Sequence, residues 1–137
     1  MITEDYVSFE TAKLLKEKGF DEKCMSYYGH GEFHLGNPKY MRSNTDRDGV
    51  ACNGVPYDAY NAPTIQMAVK WLREKHNQNI TVKAHNNVAR AKTIYYAEVQ
   101  NLSEPAEKGF CVNGCTFKDT YEEAVEYAIR YCLENLV

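Results

Sequence analysis

Cys111 and Cys115, His30 and His34, and the run Asn44, Asp46, Asp48 are the residues whose types and spacing suggest metal chemistry. Cys111-x-x-x-Cys115 has the separation of half a zinc site, where thiolates close on a tetrahedral ion. The dipeptide Asn113-Gly114 between them favours a two-residue hairpin turn. Val112 then faces Cys115 and Cys111 faces Thr116, so the thiols fall on opposite faces of the ribbon. No second pair has zinc spacing, and Phe110, Val112, Cys115 and Phe117 make a coherent buried face. His30-x-x-x-His34 has the i, i+4 separation of a helical metal pair, but Gly29, Gly31 and Gly36 oppose a helix. Two solvent-exposed histidines are expected instead. Asn44-x-Asp46-x-Asp48-Gly49 carries the oxygen donors and the glycine that open a calcium loop. Val55 stands where a bidentate Glu would close the cage, so an Asp/Asn/Gly-rich turn is the expectation. These residues imply no metal and no cofactor.

Nucleophilic and phosphate chemistry lack their patterns too. There is no Gly-x-Ser-x-Gly elbow, no Gly-rich loop ending in Gly-Lys-Ser/Thr and no dinucleotide fingerprint. Asp46, Asp48 and Asp58 lack the context of an acid–base pair. No catalytic residue is assigned, and enzymatic activity is unsupported.

Recognition is better represented. From Lys75 through Ala97 no acidic residue occurs, while Lys83, Arg90 and Lys92 are basic and His85 adds to them. The last helical stretch runs the other way, with Asp119, Glu122, Glu123, Glu126 and Glu134 against Arg130. A basic hairpin beside Tyr95 and Tyr96 suits a nucleic-acid backbone with stacked bases. The same distribution suits a protein contact, basic strand against acidic helix. The chain also has 11 tyrosines, of which Tyr27, Tyr28, Tyr40, Tyr57 and Tyr60 crowd one irregular stretch. Segments rich in Tyr, Asn and Gly have the composition of binding surfaces.

The elements that would position these residues follow from caps and periodicity. Ser8 is an N-cap, Val7 can staple onto Ala12, and Gly19 with Phe20 closes a helix over 8–18. Cys24 to Tyr28 and Glu32 to Leu35 read as short strands about Gly29-His30-Gly31. Residues 36–61 read as a long irregular or hairpin insertion, with Asn53-Gly54 as a type I′ turn and Pro56 confining its arm to an edge. A second helix starts near Pro63, carries Ile65, Ala68, Val69, Leu72 and His76 on one face and ends at Asn77 to Asn79. Ile80, Val82 and Ala84 alternate with polar residues as a strand does. Asn86-Asn87 reads as a turn and Thr93 to Val99 as the next strand. Asp119 or Thr120 caps a last helix whose stripe is Ala124, Val125, Ala128, Ile129, Cys132, Leu133 and Leu136. The order predicts an α+β fold, a single domain over 1–137 with three helices packed on one face of a mainly antiparallel β-sheet.

At 137 residues and a net charge of -3 the chain suits one folded domain and is no general polycation. Its five Cys, with an acidic Met1 to Tyr6 that is no secretory signal, place it in the expectation in a reducing cytoplasm. No apolar run reaches membrane-spanning length, so no membrane partner is expected.

Three stretches carry a family resemblance: Glu4 to Glu10 with Ala12 to Phe20, Ala62 to Ala68 with Lys70 to Glu74, and Tyr121 to Ala124 with Tyr131 to Leu136. They resemble an uncharacterised family of small proteins from anaerobic gut bacteria and their phages. The resemblance covers about half the chain and implies a phage or mobile-element context without an activity. Tyr96-Ala97-Glu98-Val99 with Leu102, then Thr120-x-x-Glu123-Ala124, is similar to antitoxins with a partial RNase-H-like ββα core. The expected function is a non-catalytic, dimeric protein-interaction module using Tyr27, Tyr28, Tyr40, Tyr57 and Tyr60 with the basic hairpin. The alternative is a nucleic-acid-binding, antitoxin-like regulator using Lys83, Arg90 and Lys92.

Overall fold

The Ser8 hydroxyl accepts the Thr11 N–H (3.3 Å) and so starts α1 (Phe9–Glu17), as its N-cap chemistry predicted. At the other end Gly19 takes φ 91°, its N–H donates to the Lys16 carbonyl (3.1 Å), and Phe20 N–H donates to the Leu15 carbonyl (2.9 Å). That pair of bonds is a Schellman closure, and it turns Phe20 inward until it is 1% exposed. The computed structural model describes residues 2–47, 51–52, 55–56, 58–104, 110–111 and 116–137. The chain divides into two compact units, residues 1–64 and 65–137.

In the first unit β1 (Tyr27–Gly29) and β2 (Glu32–His34) pair antiparallel. Their two loop residues, His30 and Gly31, have φ 51° and 77°, the positive values that a type I′ turn needs. A short 3-10 turn follows at Pro38–Tyr40. The single helical turn α2 (Asn44–Arg47) is closed by reciprocal bonds: Asp46 N–H to the Ser43 hydroxyl (3.1 Å), and Ser43 N–H to the Asp46 carboxylate (3.4 Å). The segments β3 (Ala51–Cys52) and β4 (Val55–Pro56) pair across Asn53-Gly54, with Cys52 opposite Val55, while residues 53 and 54 themselves lie outside the described residues. At the end of the stretch 36–61, β5 (Ala59–Asn61) joins β1 antiparallel. The core is Val7, Ala12, Leu15, Phe20, Cys24, Ala59 and Ala62, all buried, with α1 packed on β5.

The second unit begins with α3 (Ile65–His76), two residues later than the proline signal placed it. Asn77 at φ 55° ends it and turns the chain directly into β6 (Gln78–Asn87). This strand pairs along its whole length with β7 (Lys92–Asn101). The turn expected at Asn86-Asn87 lies instead at 88–91, since those two residues still pair with Thr93 and Lys92. The Asn87 carboxamide accepts the Arg90 N–H (3.3 Å) and thereby caps a 3-10 turn at Val88–Arg90, which Ala91 leaves at φ 52°. After β8 (Phe110–Cys111), paired with β7, comes α4 (Tyr121–Asn135), capped by the Thr120 hydroxyl on Glu123 N–H (3.1 Å). The predicted stripe of α4 is buried from Ala124 to Leu133, and Leu136 is exposed.

The fold class is α+β, as expected, and every strand pairing among the described residues is antiparallel. The strands form three sheets, ordered β2-β1-β5, β3-β4 and β6-β7-β8. Helices α3 and α4 pack on β6, with α4 also on β7, whereas α1 serves β5. The three-residue strands offer only a small face, while the ten-residue hairpin offers one wide enough for two helices.

Two glycines separate conformational freedom from space. A Cβ at Gly36 would fall inside the van der Waals envelope of the Met25 carbonyl, whereas Gly19 has open space around it and needs only its positive φ. Gly36→Ala is expected to cost about 2–3 kcal/mol, since backbone must move. Gly19→Ala should cost about 1–2 kcal/mol. Urea denaturation of the two variants orders them, and a Gly36→Ala chain as stable as wild type would show that the close approach is absent in solution. A gain is expected at Ser26, whose buried hydroxyl has no hydrogen-bond partner among the described residues. Ser26→Ala removes that desolvated group and should stabilise by about 1 kcal/mol in the same assay.

Candidate interaction surface

The tyrosines expected to form a binding surface are mostly held by their own unit. Tyr28 and Tyr60 face each other across β1 and β5, and both meet Phe9 edge-on at centroid distances of 5.6 and 5.7 Å. The Tyr28 hydroxyl donates to the Val7 carbonyl (2.8 Å), and Phe33 joins the group at 5.5 Å. Lys16 donates to the Ala59 carbonyl (3.0 Å) and lies 5.2 Å from the Tyr60 ring centre. Tyr27 points to the other face, stacked on His34 at 5.0 Å with the Arg47 guanidinium 4.2 Å from its centre. All three are half-buried. Tyr40, on the 3-10 turn, is 69% exposed, and Tyr57 lies outside the described residues. The packing reason is simple: strands of three residues leave too little aliphatic surface, so aromatic edges fill the unit.

Beneath Tyr27 lies a polar network that sequence reasoning missed. Asn61 is fully buried, and its carboxamide donates to the carbonyls of Glu22 (3.0 Å) and Arg42 (2.7 Å) while accepting from Arg47 Nε. Its N–H donates to the Asn44 side chain (2.8 Å), which donates on to the Phe20 carbonyl (2.7 Å). Arg47 also donates to the Cys24 carbonyl (3.0 Å). Asp21 accepts the N–H and hydroxyl of Thr45 (2.7 and 2.9 Å), bonds that hold its carboxyl below the usual carboxylate range. Asn44 and Asp46, weighed as calcium donors, are therefore spent on the fold, and Asp48 lies outside the described residues. His30 sits in the β1–β2 turn and His34 on Tyr27. Among the described residues no three His, Cys, Asp or Glu side chains gather as metal ligands would.

Cys115 and the Asn113-Gly114 turn lie outside the described residues. Phe110–Cys111 runs antiparallel to β7, and Lys118 bridges to Tyr95 on β7 in the same sense. Burial pushes the Cys24 thiol up to about 11 and the Cys132 thiol up to about 12, so neither is a thiolate at neutral pH. In a chain with Cys52, Cys111 and Cys115 replaced by serine, these two thiols are expected to react with an aromatic disulfide at pH 8 only as fast as the chain opens. Prompt reaction of either would contradict their burial.

The basic hairpin has the architecture that the sequence implied, with Lys83 on β6, Lys92 opening β7 and Arg90 in the turn. Its distal part stands in solvent: Lys83 to Asn86 and Val88 to Lys92 are exposed, and Val88 is 90% exposed at the tip. A shallow concavity of about 320 Å³ is lined there by Asn86, Asn87, Val88, Ala91, Lys92 and Thr93. The cations are not alone. Lys83 lies 3.3 Å from Glu98 on the neighbouring strand, and Lys92 lies 2.7 Å from Asp119. The Lys92 hydrogen bond and charge hold the Asp119 carboxyl below its ordinary range. Glu98 follows the acid-free stretch directly and comes diagonal to Lys83 once the hairpin register is set. On that same face Phe117 packs against Tyr96 (5.4 Å) and His85 (5.9 Å). Tyr95 turns to the opposite face and meets Tyr121 at 6.2 Å. No helix among the described residues is long and apolar enough to cross a membrane. No family model matches the chain, and neither a curated protein nor a solved structure matches it.

Proposed function

We propose that this chain is a non-catalytic protein-interaction module of phage or mobile-element origin, working in the cytoplasm, with the β6–β7 hairpin as its contact arm. The observation that carries the reading is the exposed distal half of that hairpin, two ten-residue strands whose tip presents Val88, amide side chains and Arg90 to solvent. Among the described residues, Tyr40 is the exposed member of the expected tyrosine surface, while Tyr27, Tyr28 and Tyr60 support the first unit. The resemblance of the three helical stretches supports the phage or mobile-element origin.

The nucleic-acid reading has one supporting observation, the placement of Lys83, Arg90 and Lys92 on a single hairpin. Two of the three are within ion-pair distance of Glu98 and Asp119, so three cations stand against two carboxylates. Phosphate binding draws its strength from counterions released per phosphate neutralised, and one net charge supports little of it. A photo-reactive residue at position 88, compared with one at the exposed Lys13, tests the proposal in the native host. A discrete protein adduct from position 88 alone supports it. Nucleic acid captured at position 88, with binding that falls steeply as salt rises, supports the second reading instead. No adduct overturns both.

A further inference from the structure

We draw no further inference here: the strongest candidate, the shallow concavity at the tip of the β6–β7 hairpin beside Val88, Lys92 and Thr93, belongs to the contact arm already described, and nothing in the structure shows what covers it.

Discussion

Asn61→Ala is expected to lose the native order of residues 20–47, the largest effect of any single polar substitution in the chain. Asn61 is fully buried and joins three separate pieces of backbone through the carbonyls of Glu22 and Arg42 and the guanidinium of Arg47. Alanine would leave the Glu22 carbonyl and the buried Arg47 Nε without that partner, while the Arg42 carbonyl keeps the Cys24 N–H (2.9 Å). Each buried group left unsatisfied costs about 1–3 kcal/mol, and a charged one lies at the upper end, so a total of about 3–5 kcal/mol is expected. For a unit of this size that is a drop in Tm of roughly 10–40 °C. Amide hydrogen exchange localises the effect, with protection lost at Asn44 to Arg47 and at the Cys24–Arg42 bridge. The exposed cap Asn37 is the control, and Asn37→Ala should cost about 1 kcal/mol or less. An Asn61→Ala chain with wild-type exchange would mean that the network contributes nothing.

Leu72→Ala should be the most damaging aliphatic truncation in the second unit. Leu72 is fully buried on α3, the helix that packs on both β6 and α4, so a cavity there loosens three elements at once. Buried leucine truncations cost about 2–5 kcal/mol through lost transfer energy and the space left behind. Val88→Ala removes an aliphatic side chain too, but from a position 90% exposed at the hairpin tip. It should change stability by no more than about 0.5 kcal/mol. Urea denaturation of the two variants measures the contrast, and equal effects would place Leu72 outside the core. The same pair separates stability from recognition, since Val88 belongs to the proposed contact arm.

The helices were readable because their signals are local. Ser8, Gly19 and Phe20 bracket α1 within a dozen residues, and Thr120 with the stripe from Ala124 to Leu133 does the same for α4. The short strands were less readable. β5 has three residues and no alternation, and its partner β1 lies some thirty positions away. Propensity cannot weigh a pairing whose reward arrives only after the intervening loop has closed. α2 was hidden for a related reason, because Asn44 and Asp46 have the composition of a calcium loop as much as of a cap.

The site followed the same division. A basic hairpin was legible in the acid-free run up to Ala97, since both strands alternate and the cations lie on one continuous stretch. That Glu98 and Asp119 would stand beside Lys83 and Lys92 depends on the register of β7 against β6 and on the approach of the residues before α4. The tyrosines show the limit most clearly. Their clustering was a property of the sequence, but exposure is a property of the folded surface. Tyr27, Tyr28 and Tyr60 found rings, a carbonyl and cations within their own unit, while Tyr40 stayed in solvent. The sequence by itself therefore determined the three longer helices, the caps of α1 and α4 and the chemistry carried by each strand, because those are set by neighbours a few residues away. Only the tertiary structure decided which charges are met and which aromatic rings are spent on packing, because each of those depends on residues that become neighbours only when the chain has closed.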